Sequence, residues 1–351
     1  MTYKEVITRY SKPAGDVAQE TSTLESEWKD RVERQQRLTA ALQHFPVRKR
    51  CICCAESLQG TRFDHHGVGF IECHQCGHIQ TANQPSLGYP HDVFYGVSYS
   101  NVYPELSEQE YCSRRDRIYR PKLDWILSTM LAIGYPETGV LRKKWVEIGS
   151  GAGYFLSAAN ERGVRQIIGL EADEKLVARS RLHNPDVTTQ LWKRRFENAL
   201  DDFDAELYCS FFVLEHVDDL MPVWNALRRK PSGTFFAFSV PIFGFSCLLE
   251  QAFANDYARN LDGILHTQLF TDASICHGLK LAGYTLVGEW IFGQDILDLT
   301  RLLQNAADRG LRDAAIYAVL LGDLRKTQDA LQGALDINRL ADQRHLLAVR
   351  N

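Results

Sequence analysis

Short apolar runs alternate with longer amphipathic segments through the second half of the chain. The runs are short enough to be buried strands, and the segments between them have the length and spacing of helices. Strands that alternate with helices are typical of a parallel sheet whose crossover helices cover its faces. The pattern therefore predicts an α/β fold with a parallel sheet. The first four predicted strands are Lys144 to Ile148, Gln166 to Glu171, Leu207 to Phe212 and Thr234 to Val240.

One more helix and one more strand follow this alternation. The helix is predicted from Leu269 to Leu281, with Thr271 or Asp272 as its N-cap. Gly283 lies just past its end, where glycine commonly terminates helices. The strand is predicted from Thr285 to Phe292.

The C-terminal part is predicted to be a helical insertion before a last strand. From Asp295 to about Ile337 the pattern is almost wholly helical, and the final residues, HLLAVRN, have the pattern of a closing strand. Apolar leucines in this block, Leu297 and Leu299 among them, suit a dimer surface or a cover over a substrate. Simple packing on the sheet is the alternative, so a homodimer is left open.

Five of the nine cysteines lie close together, between residues 51 and 76. Cys51-x-x-Cys54 and Cys73-x-x-Cys76 are separated by eighteen residues, and each pair can present two thiolates to one tetrahedral Zn²⁺. Four thiolates leave no open coordination position, so the predicted zinc is structural. The alternative ligands nearby are Cys53, His65, His66, His74 and His78.

The chain is predicted to divide into four parts. Residues around Leu24 to Leu42 are rich in good helix formers and give the N-terminal part its helical character. The four parts are a helical segment at 1–47, the zinc-binding module at 48–92, an aromatic and helical lid and linker at 93–139, and the α/β domain at 140–351, with its helical insertion at about 295–340.

Composition narrows the class of partner. The 351 residues are 45% hydrophobic and 24% charged, which is ordinary for a globular protein, and the net charge is -4. The chain has no excess of basic residues, which would indicate binding to nucleic acid or to an anionic membrane surface. No apolar run approaches the roughly 20 residues of a membrane span. We therefore expect a cytoplasmic protein that acts on a small molecule, without a nucleic-acid or membrane partner.

The segment VEIGSGAGYFL, residues 146–156, is a strand that ends in a glycine-rich turn and continues as a helix. A dinucleotide site would have the spacing G-x-G-x-x-G, but in Gly149, Gly151 and Gly153 the third glycine comes one residue early. Glu147 would repel a pyrophosphate and attract a cation. Glu171, about 20 residues on, ends the next strand, where an acid can bind ribose hydroxyls. The turn therefore predicts a cationic nucleoside ligand.

At these residues the sequence resembles the class I S-adenosylmethionine-dependent methyltransferases, whose first motif is a strand followed by acid-x-G-x-G-x-G. Two later segments agree: FDAELYCSFFVLEHV resembles the family's fourth strand with its Glu-His loop, and KPSGTFFAFSVP resembles the fifth strand. The resemblance covers roughly residues 140–292. It implies a Rossmann-like sheet of seven strands and S-adenosylmethionine as the cofactor.

The resemblance also assigns cofactor contacts. Glu147 and the three glycines would line the site for the amino acid part of the cofactor, and Glu171 would hold the ribose. The adenine contacts would fall in the segment 187–200, where Glu197 is one guess. The further candidates for cofactor binding are Tyr154, Phe211 and Phe212.

The cysteine cluster narrows the resemblance to methyltransferases with an N-terminal zinc ribbon, several of which act on sugars in antibiotic and surface-polysaccharide pathways. It implies methyl transfer to a hydroxyl of a sugar or another small polar metabolite. The substrate would be a free or nucleotide-linked sugar, and a general base would assist an in-line displacement. C-methylation of a keto-sugar is the nearest alternative.

Two other classes of protein are more distant alternatives. One is a binding or scaffold protein built on the zinc ribbon, and the other is a nucleic-acid methylase that uses the ribbon for targeting. The segment Ser210-Phe211-Phe212-Val213 lacks the N/D-P-P-Y/F type of motif after the fourth strand. Together with the net negative charge, this counts against methylation of nucleic-acid bases.

Ligands of open α/β sheets bind beyond the carboxyl ends of the strands, so the residues that follow strands are candidates for the reaction. His266 is the first candidate for the general base, because imidazole titrates near neutrality, and capping a helix is its alternative role. His216 is the second, with orientation of the cofactor loop as its alternative. Asp295 is the third, and it is also placed to cap the helix that follows.

Candidates for substrate binding come from loops near the same edge. The aromatic segment that holds Tyr95 and Tyr99 suits a lid over the cofactor, and docking of the zinc module on the sheet is its alternative. The remaining candidates are Arg259 and Gln268, which follow the predicted strand Thr234 to Val240, and Gln294, which follows the predicted strand Thr285 to Phe292.

Overall fold

The computed structural model describes residues 5–16, 32–33, 44–84, 106–261, 263, 266–310 and 314–351. The strands in these residues are β1 (Ile7–Tyr10), β2 (Gly60–His65), β3 (Val68–Cys73), β4 (Ile79–Thr81), β5 (Lys144–Ile148), β6 (Gln166–Glu171), β7 (Thr188–Leu191), β8 (Leu207–Phe211), β9 (Phe235–Pro241), β10 (Gln268–Leu269), β11 (Tyr284–Phe292) and β12 (Gln343–Arg350).

The α-helices in the same residues are α1 (Glu108–Arg114), α2 (Arg120–Ala132), α3 (Glu137–Val140), α4 (Tyr154–Arg162), α5 (Glu174–His183), α6 (Phe196–Asp202), α7 (Met221–Arg228), α8 (Phe245–Ala252), α9 (Asp272–Ala282), α10 (Asp295–Gly310), α11 (Ala314–Lys326) and α12 (Gln328–Ile337). A π-helical turn, Arg115–Tyr119, joins α1 to α2, and a 3-10 turn, Leu214–His216, follows β8. Among the described residues, no helix is both long enough and apolar enough to span a membrane.

The central sheet has the strand order β1-β11-β12-β9-β8-β5-β6-β7. Strands β7, β6, β5, β8 and β9 are mutually parallel, and β12 runs antiparallel to both of its neighbours. The strand order reverses between β5 and β8, which opens a crevice at their carboxyl ends, the usual ligand position in such sheets. The predicted α/β fold is confirmed, and β5, β6, β8 and β9 lie within one or two residues of the expected apolar runs. Strand β7 was not predicted.

The predicted number of seven strands is wrong, because the sheet has eight. The additional strand, β1, lies inside the N-terminal segment at 1–47 that was predicted to be helical. It pairs in parallel with β11, from Ile7 opposite Gly288 to Tyr10 opposite Ile291. Arg9 also lies over the ring of Trp290, at 3.8 Å from its centroid. Of the predicted helix Leu24 to Leu42, the structure describes residues 32–33, and these are helical.

The C-terminal prediction of a helical block is confirmed by α10, α11 and α12, which lie between β11 and β12. The preceding helix begins later than predicted. Thr271 is its N-cap and forms a capping box with Ser274, and Gly283 ends it with a φ of 68°. The residues Gln268–Leu269, predicted to lie in or just before the helix, form the short strand β10 instead.

Strand β10 joins the cysteine-containing module to the α/β domain. The module has the antiparallel strands β2, β3 and β4, and β10 pairs antiparallel with β4 as the fourth strand of the same sheet. The backbone N–H of Leu220 donates to the carbonyl of Ile52, and the hydroxyl of Thr271 donates to the carbonyl of Gly77. The module is therefore held against the carboxyl edge of the main sheet by a shared sheet and by hydrogen bonds on both sides of it.

Gln268 is the central side chain of this junction. It is fully buried, and its amide donates to the carbonyl of Leu214 at 3.0 Å and to that of Val217 at 2.6 Å. Its carbonyl oxygen accepts from Nε2 of His78, in the cysteine module, at 2.7 Å. The amide thus fixes the 3-10 turn after β8 and ties it to the module. Because these partners are internal, they give Gln268 a positioning role in place of the predicted substrate contact.

We predict that Gln268→Leu lowers the free energy of unfolding by about 2 to 3 kcal/mol, because it leaves two buried carbonyls and the His78 N–H without partners. Urea unfolding of the full chain measures this change. Gln166→Leu is the matched control, since the Gln166 amide donates to the carbonyl of Arg142 at the surface. Its expected effect is within about 0.5 kcal/mol. Equal losses in the two variants would contradict this reading of the junction.

Candidate active site

The glycine turn after β5 requires glycine at the predicted positions. Gly149, Gly151 and Gly153 have φ angles of 77°, 54° and 79°, in the left-handed region that side chains disfavour. A Cβ at Gly149 would also collide with Val213, and one at Gly153 with Ser180. The turn therefore lies against the segment after β8 on one side and against α5 on the other, with α4 starting directly behind it.

Glu171, at the end of β6, faces this turn. Its carboxylate accepts hydrogen bonds from the backbone N–H groups of Gly151 and Ala172, each at 2.7 Å, and of Asp173 at 2.9 Å. Burial raises the pKa of Glu171, and the three N–H donors oppose that shift. The structure thus brings together the acid and the glycine turn that the sequence pattern paired.

Glu147 lies beneath the turn, and its side chain is 2% exposed. Burial raises its pKa well above the usual carboxyl range, Lys122 opposes the shift, and Glu171 adds to it. The ammonium of Lys122, itself buried, lies 4.4 Å from the ring centroid of Phe211 and 4.8 Å from that of Tyr119. The acid of the first motif therefore has a buried cation and aromatic rings as its surroundings.

Phe211 and Phe212 lie at the carboxyl end of β8, next to the glycine turn. Phe211 is buried against Phe155, at a centroid distance of 4.8 Å. Phe212 has a φ of 58°, although it is not glycine, and its backbone N–H donates to the carbonyl of Ser239 at 3.0 Å. A bulky residue in this region is strained, and such strain is commonly found at functional sites.

Tyr154 opens helix α4 but packs away from solvent. Its ring stacks on Tyr111, at 4.4 Å between centroids, and on Tyr119, at 5.1 Å. The hydroxyl of Tyr111 donates to the carbonyl of Ala152 in the turn, at 3.1 Å. Helix α1 and the π-helical turn therefore cover the glycine turn through this aromatic stack, and the cofactor contact predicted for Tyr154 stays a prediction. Tyr95 and Tyr99 lie outside the described residues.

Two predicted catalytic residues come together in the structure. His216 lies in the 3-10 turn after β8 and His266 just before β10, and their ring centroids are 5.2 Å apart. Glu215 joins them, so that one potential ligand atom from each of the three side chains lies within 4.8 Å of the others. Burial raises the pKa of Glu215 to about 8. The sequence pattern placed Glu215 in the loop but gave no reason to expect His266 beside it.

Asp295, the third predicted catalytic residue, has structural partners. Its carboxylate accepts from the backbone N–H of Ser246, in the first turn of α8, at 2.9 Å and from the amide of Gln332 at 3.0 Å. It is fully buried, as Gln294 nearly is. These contacts stabilise the start of α8 instead of the helix that Asp295 begins. The partners of Asp295 therefore indicate a structural role and not the predicted catalytic one.

Arg259, predicted to bind substrate, forms buried ion pairs. Its guanidinium lies 2.7 Å from a carboxylate oxygen of Asp298 and 2.8 Å from one of Asp342. All three side chains are buried, and the two carboxylates raise the pKa of Arg259 against the effect of burial. The partners come from α10 and from the residue before β12, and no local sequence signal pairs them with Arg259.

The four predicted zinc ligands converge. The sulfur atoms of Cys51 and Cys76 are 3.6 Å apart, those of Cys54 and Cys73 are 3.8 Å apart, and all four lie within 4.8 Å of one another. The four side chains are buried and suit one tetrahedral metal ion.

The alternative ligands lie elsewhere in the module. Cys53 directs its sulfur to the carbonyl of Ser274 in α9, at 3.8 Å, and so contacts the α/β domain. His78 contacts Gln268, His66 contacts the carbonyl of Glu250, and His74 contacts Thr61. In the segment suggested for adenine binding, Glu197 forms an ion pair with Arg195 at 2.6 Å.

Comparison with known proteins finds a family model that matches part of the chain. Residues 146–237, about a quarter of the chain, match the family model described as a methyltransferase domain. This segment contains the glycine turn, Glu171 and the 3-10 turn with His216. No curated protein matches the chain in sequence.

Solved structures of methyltransferases are similar to the chain at low sequence identity. Magnesium protoporphyrin IX methyltransferase from Synechocystis PCC 6803 has a TM-score of 0.43 and 11% identity, over 72% of this chain and 93% of that chain. Geranyl diphosphate C-methyltransferase from Streptomyces coelicolor A3(2) has 0.41 and 11%, over 71% and 86%. An S-adenosylmethionine dependent methyltransferase from Mesorhizobium loti has 0.34 and 19%, over 59% and 91%. The substrates that these names mention are those of the similar proteins.

The family match falls on the strands and turns that form the crevice between β5 and β8. It starts in the strand before the glycine turn and ends in β9, next to the crevice. Residues 146–237 are therefore similar to a methyltransferase domain, and they lie within an α/β fold whose central sheet is mainly parallel.

Proposed function

We propose that this protein is an S-adenosylmethionine-dependent methyltransferase that methylates a hydroxyl of a sugar, free or nucleotide-linked. One observation carries the cofactor assignment: the carboxylate of Glu171 lies on the N–H of Gly151, in a turn formed by three glycines with positive φ. A ribose bound above this turn would have an acid beside its hydroxyls. The match of residues 146–237 to a methyltransferase domain supports the same cofactor.

The reaction is an in-line displacement at the methyl carbon of the sulfonium. A bond forms between the substrate oxygen and the methyl carbon, the bond from that carbon to sulfur breaks, and the cofactor leaves as the neutral thioether S-adenosylhomocysteine. The proton of the hydroxyl goes to an imidazole, His216 or His266, as general base. Both lie near the carboxyl end of β8, the edge at which the glycine turn also lies.

The assignment of a sugar substrate depends on the resemblance of the chain to zinc-ribbon methyltransferases and on the polar side chains at this edge. Gln268, Arg259 and Asp295 are engaged internally, and the cluster of Glu215, His216 and His266 supplies polar groups at this edge. Tyr95 and Tyr99 remain proposed lid residues.

We predict that Glu171→Ala weakens binding of S-adenosylhomocysteine by at least about 10-fold, because it removes charged hydrogen bonds to the ribose, each worth about 1.5 to 3 kcal/mol. Isothermal titration calorimetry measures the affinity. Glu174→Ala is the matched control, since Glu174 is exposed and pairs with Lys193 at 2.7 Å. Equal binding by the wild type and Glu171→Ala would remove the cofactor assignment, and no binding by the wild type would favour a scaffold protein.

Incubation with methyl-labelled S-adenosylmethionine and a panel of nucleotide sugars tests the substrate class. We expect labelled product with the methyl group on oxygen, as shown by NMR. His216→Ala and His266→Ala are expected to slow turnover by about 10² to 10⁴-fold for the residue that is the base, with unchanged affinity for S-adenosylhomocysteine. A product methylated on carbon would replace O-methylation by C-methylation, and labelling of DNA or RNA alone would overturn the sugar assignment.

The cysteine module is proposed to bind one structural zinc ion through Cys51, Cys54, Cys73 and Cys76. The convergence of four buried sulfur atoms supports this set. When bound, the ion would hold both knuckles and, through β4 and His78, the junction with the α/β domain. Its four thiolates leave no position for a substrate, so the ion would take no part in the methyl transfer.

We predict that Cys54→Ser removes the tetrahedral thiolate site and lowers the melting temperature of the full chain, because metal binding and folding of such modules are coupled. Thiolate charge-transfer absorption of the cobalt-substituted protein reports this site selectively. Cys276→Ser is the control, since Cys276 is exposed and lies outside the cluster. The proposal fails if both variants keep the same absorption, or if the wild type never shows it.

A further inference from the structure

The side chains of Glu215, His216 and His266, which include the two candidates for the general base, are also typical metal ligands. Two imidazoles and one carboxylate converge, with one ligand atom from each within 4.8 Å of the others. Bonds of about 2.0 to 2.2 Å to zinc place neighbouring ligand atoms about 3 to 3.5 Å apart. The spacing of at most 4.8 Å between the three ligand atoms is therefore close to that of a metal site.

Glu215 gives an independent indication of a cation. Its side chain is 2% exposed, and Oε2 has no hydrogen-bond partner among the described residues. A buried carboxylate oxygen without a partner is costly, and in proteins such groups are paired or coordinate metals. No lysine or arginine forms an ion pair with Glu215 within the part of the chain that the structure describes.

The backbone around these residues is held in place by the junction with the cysteine module. Gln268 donates to the carbonyls of Leu214 and Val217, on the two sides of Glu215 and His216. His266 lies two residues before Gln268 on the same segment. The same buried amide therefore holds the backbone on both sides of Glu215 and His216 and belongs to the segment that carries His266.

We propose that Glu215, His216 and His266 bind a divalent transition-metal ion, separate from the ion of the four cysteines. Two imidazoles and one carboxylate suit Zn²⁺, Fe²⁺, Co²⁺ or Mn²⁺, and three protein ligands leave coordination positions open. The inference on function rests on the proposed methyltransferase activity. The substrate class is then an alcohol, or a pair of neighbouring hydroxyls, whose oxygen would bind the ion. With both imidazoles engaged as ligands, the ion would take the place of the imidazole base by lowering the pKa of the hydroxyl, whose proton would pass to solvent before methyl transfer.

Cobalt titration of the full chain, with the cysteine site already filled by zinc, tests the inference. The expected result is a further equivalent of bound Co²⁺ with weak d–d absorption and no thiolate charge-transfer band. His216→Ala and His266→Ala should each weaken this binding by at least about 10-fold, as loss of even an outer-shell partner typically does. His44→Ala is the control, because His44 is exposed and remote in sequence from the cluster.

Glu215→Gln keeps the shape of the side chain and removes its charge, so it should weaken cobalt binding while the thiolate band of the cysteine site is unchanged. Circular dichroism of each variant confirms that the chain is folded. The inference is overturned if folded wild-type protein binds no further cobalt, or if the further equivalent binds equally well to all three variants. Calorimetry with S-adenosylhomocysteine is run on the same samples, so that loss of the metal site alone leaves the proposed cofactor and activity standing.

Discussion

The buried amide of Gln268 is the interaction on which the arrangement of this site depends. It joins three parts of the chain that are remote in sequence: His78 in the cysteine module, the turn after β8, and the segment that carries His266. Because a buried amide without partners is costly, these three parts stabilise one another where they meet. The cysteine module therefore helps to build the candidate site, and a metal ion in it would stabilise residues that do not bind that ion.

Local patterns explain what the sequence predicted correctly. The apolar runs of β5, β6, β8 and β9 lie in the sheet interior. The capping box at Thr271 and Gly283 at the other end of α9 depend on neighbouring residues. The glycine turn is equally local, since its three positive φ angles require glycine. The pairing of this turn with Glu171 was predictable because parallel strands place their carboxyl ends at one edge. Such features need no knowledge of distant contacts.

The features that the sequence did not predict all depend on contacts between distant segments. Strand β1 forms an edge of the sheet because it pairs with the backbone of β11. No pattern within residues 7–10 predicts this pairing. Arg259 was expected at a substrate surface because polar residues after strands commonly lie there. Its carboxylate partners, Asp298 and Asp342, lie 39 and 83 residues further along the chain. A charged side chain therefore indicates a partner but does not identify whether that partner is a ligand or the protein.

The two sides of the crevice also differ in whether their groups have partners within the protein. On the cofactor side, strain and close approach coincide: Phe212 has a left-handed backbone where Val213 contacts the turn at Gly149. Strain persists only where the surroundings impose it, so this edge is shaped before any ligand arrives. On the other side, most polar groups are already used by internal hydrogen bonds and ion pairs. Among the described residues, Glu215 has a buried oxygen without a hydrogen-bond partner, which requires either a proton or a cation, and the two imidazoles beside it favour the cation.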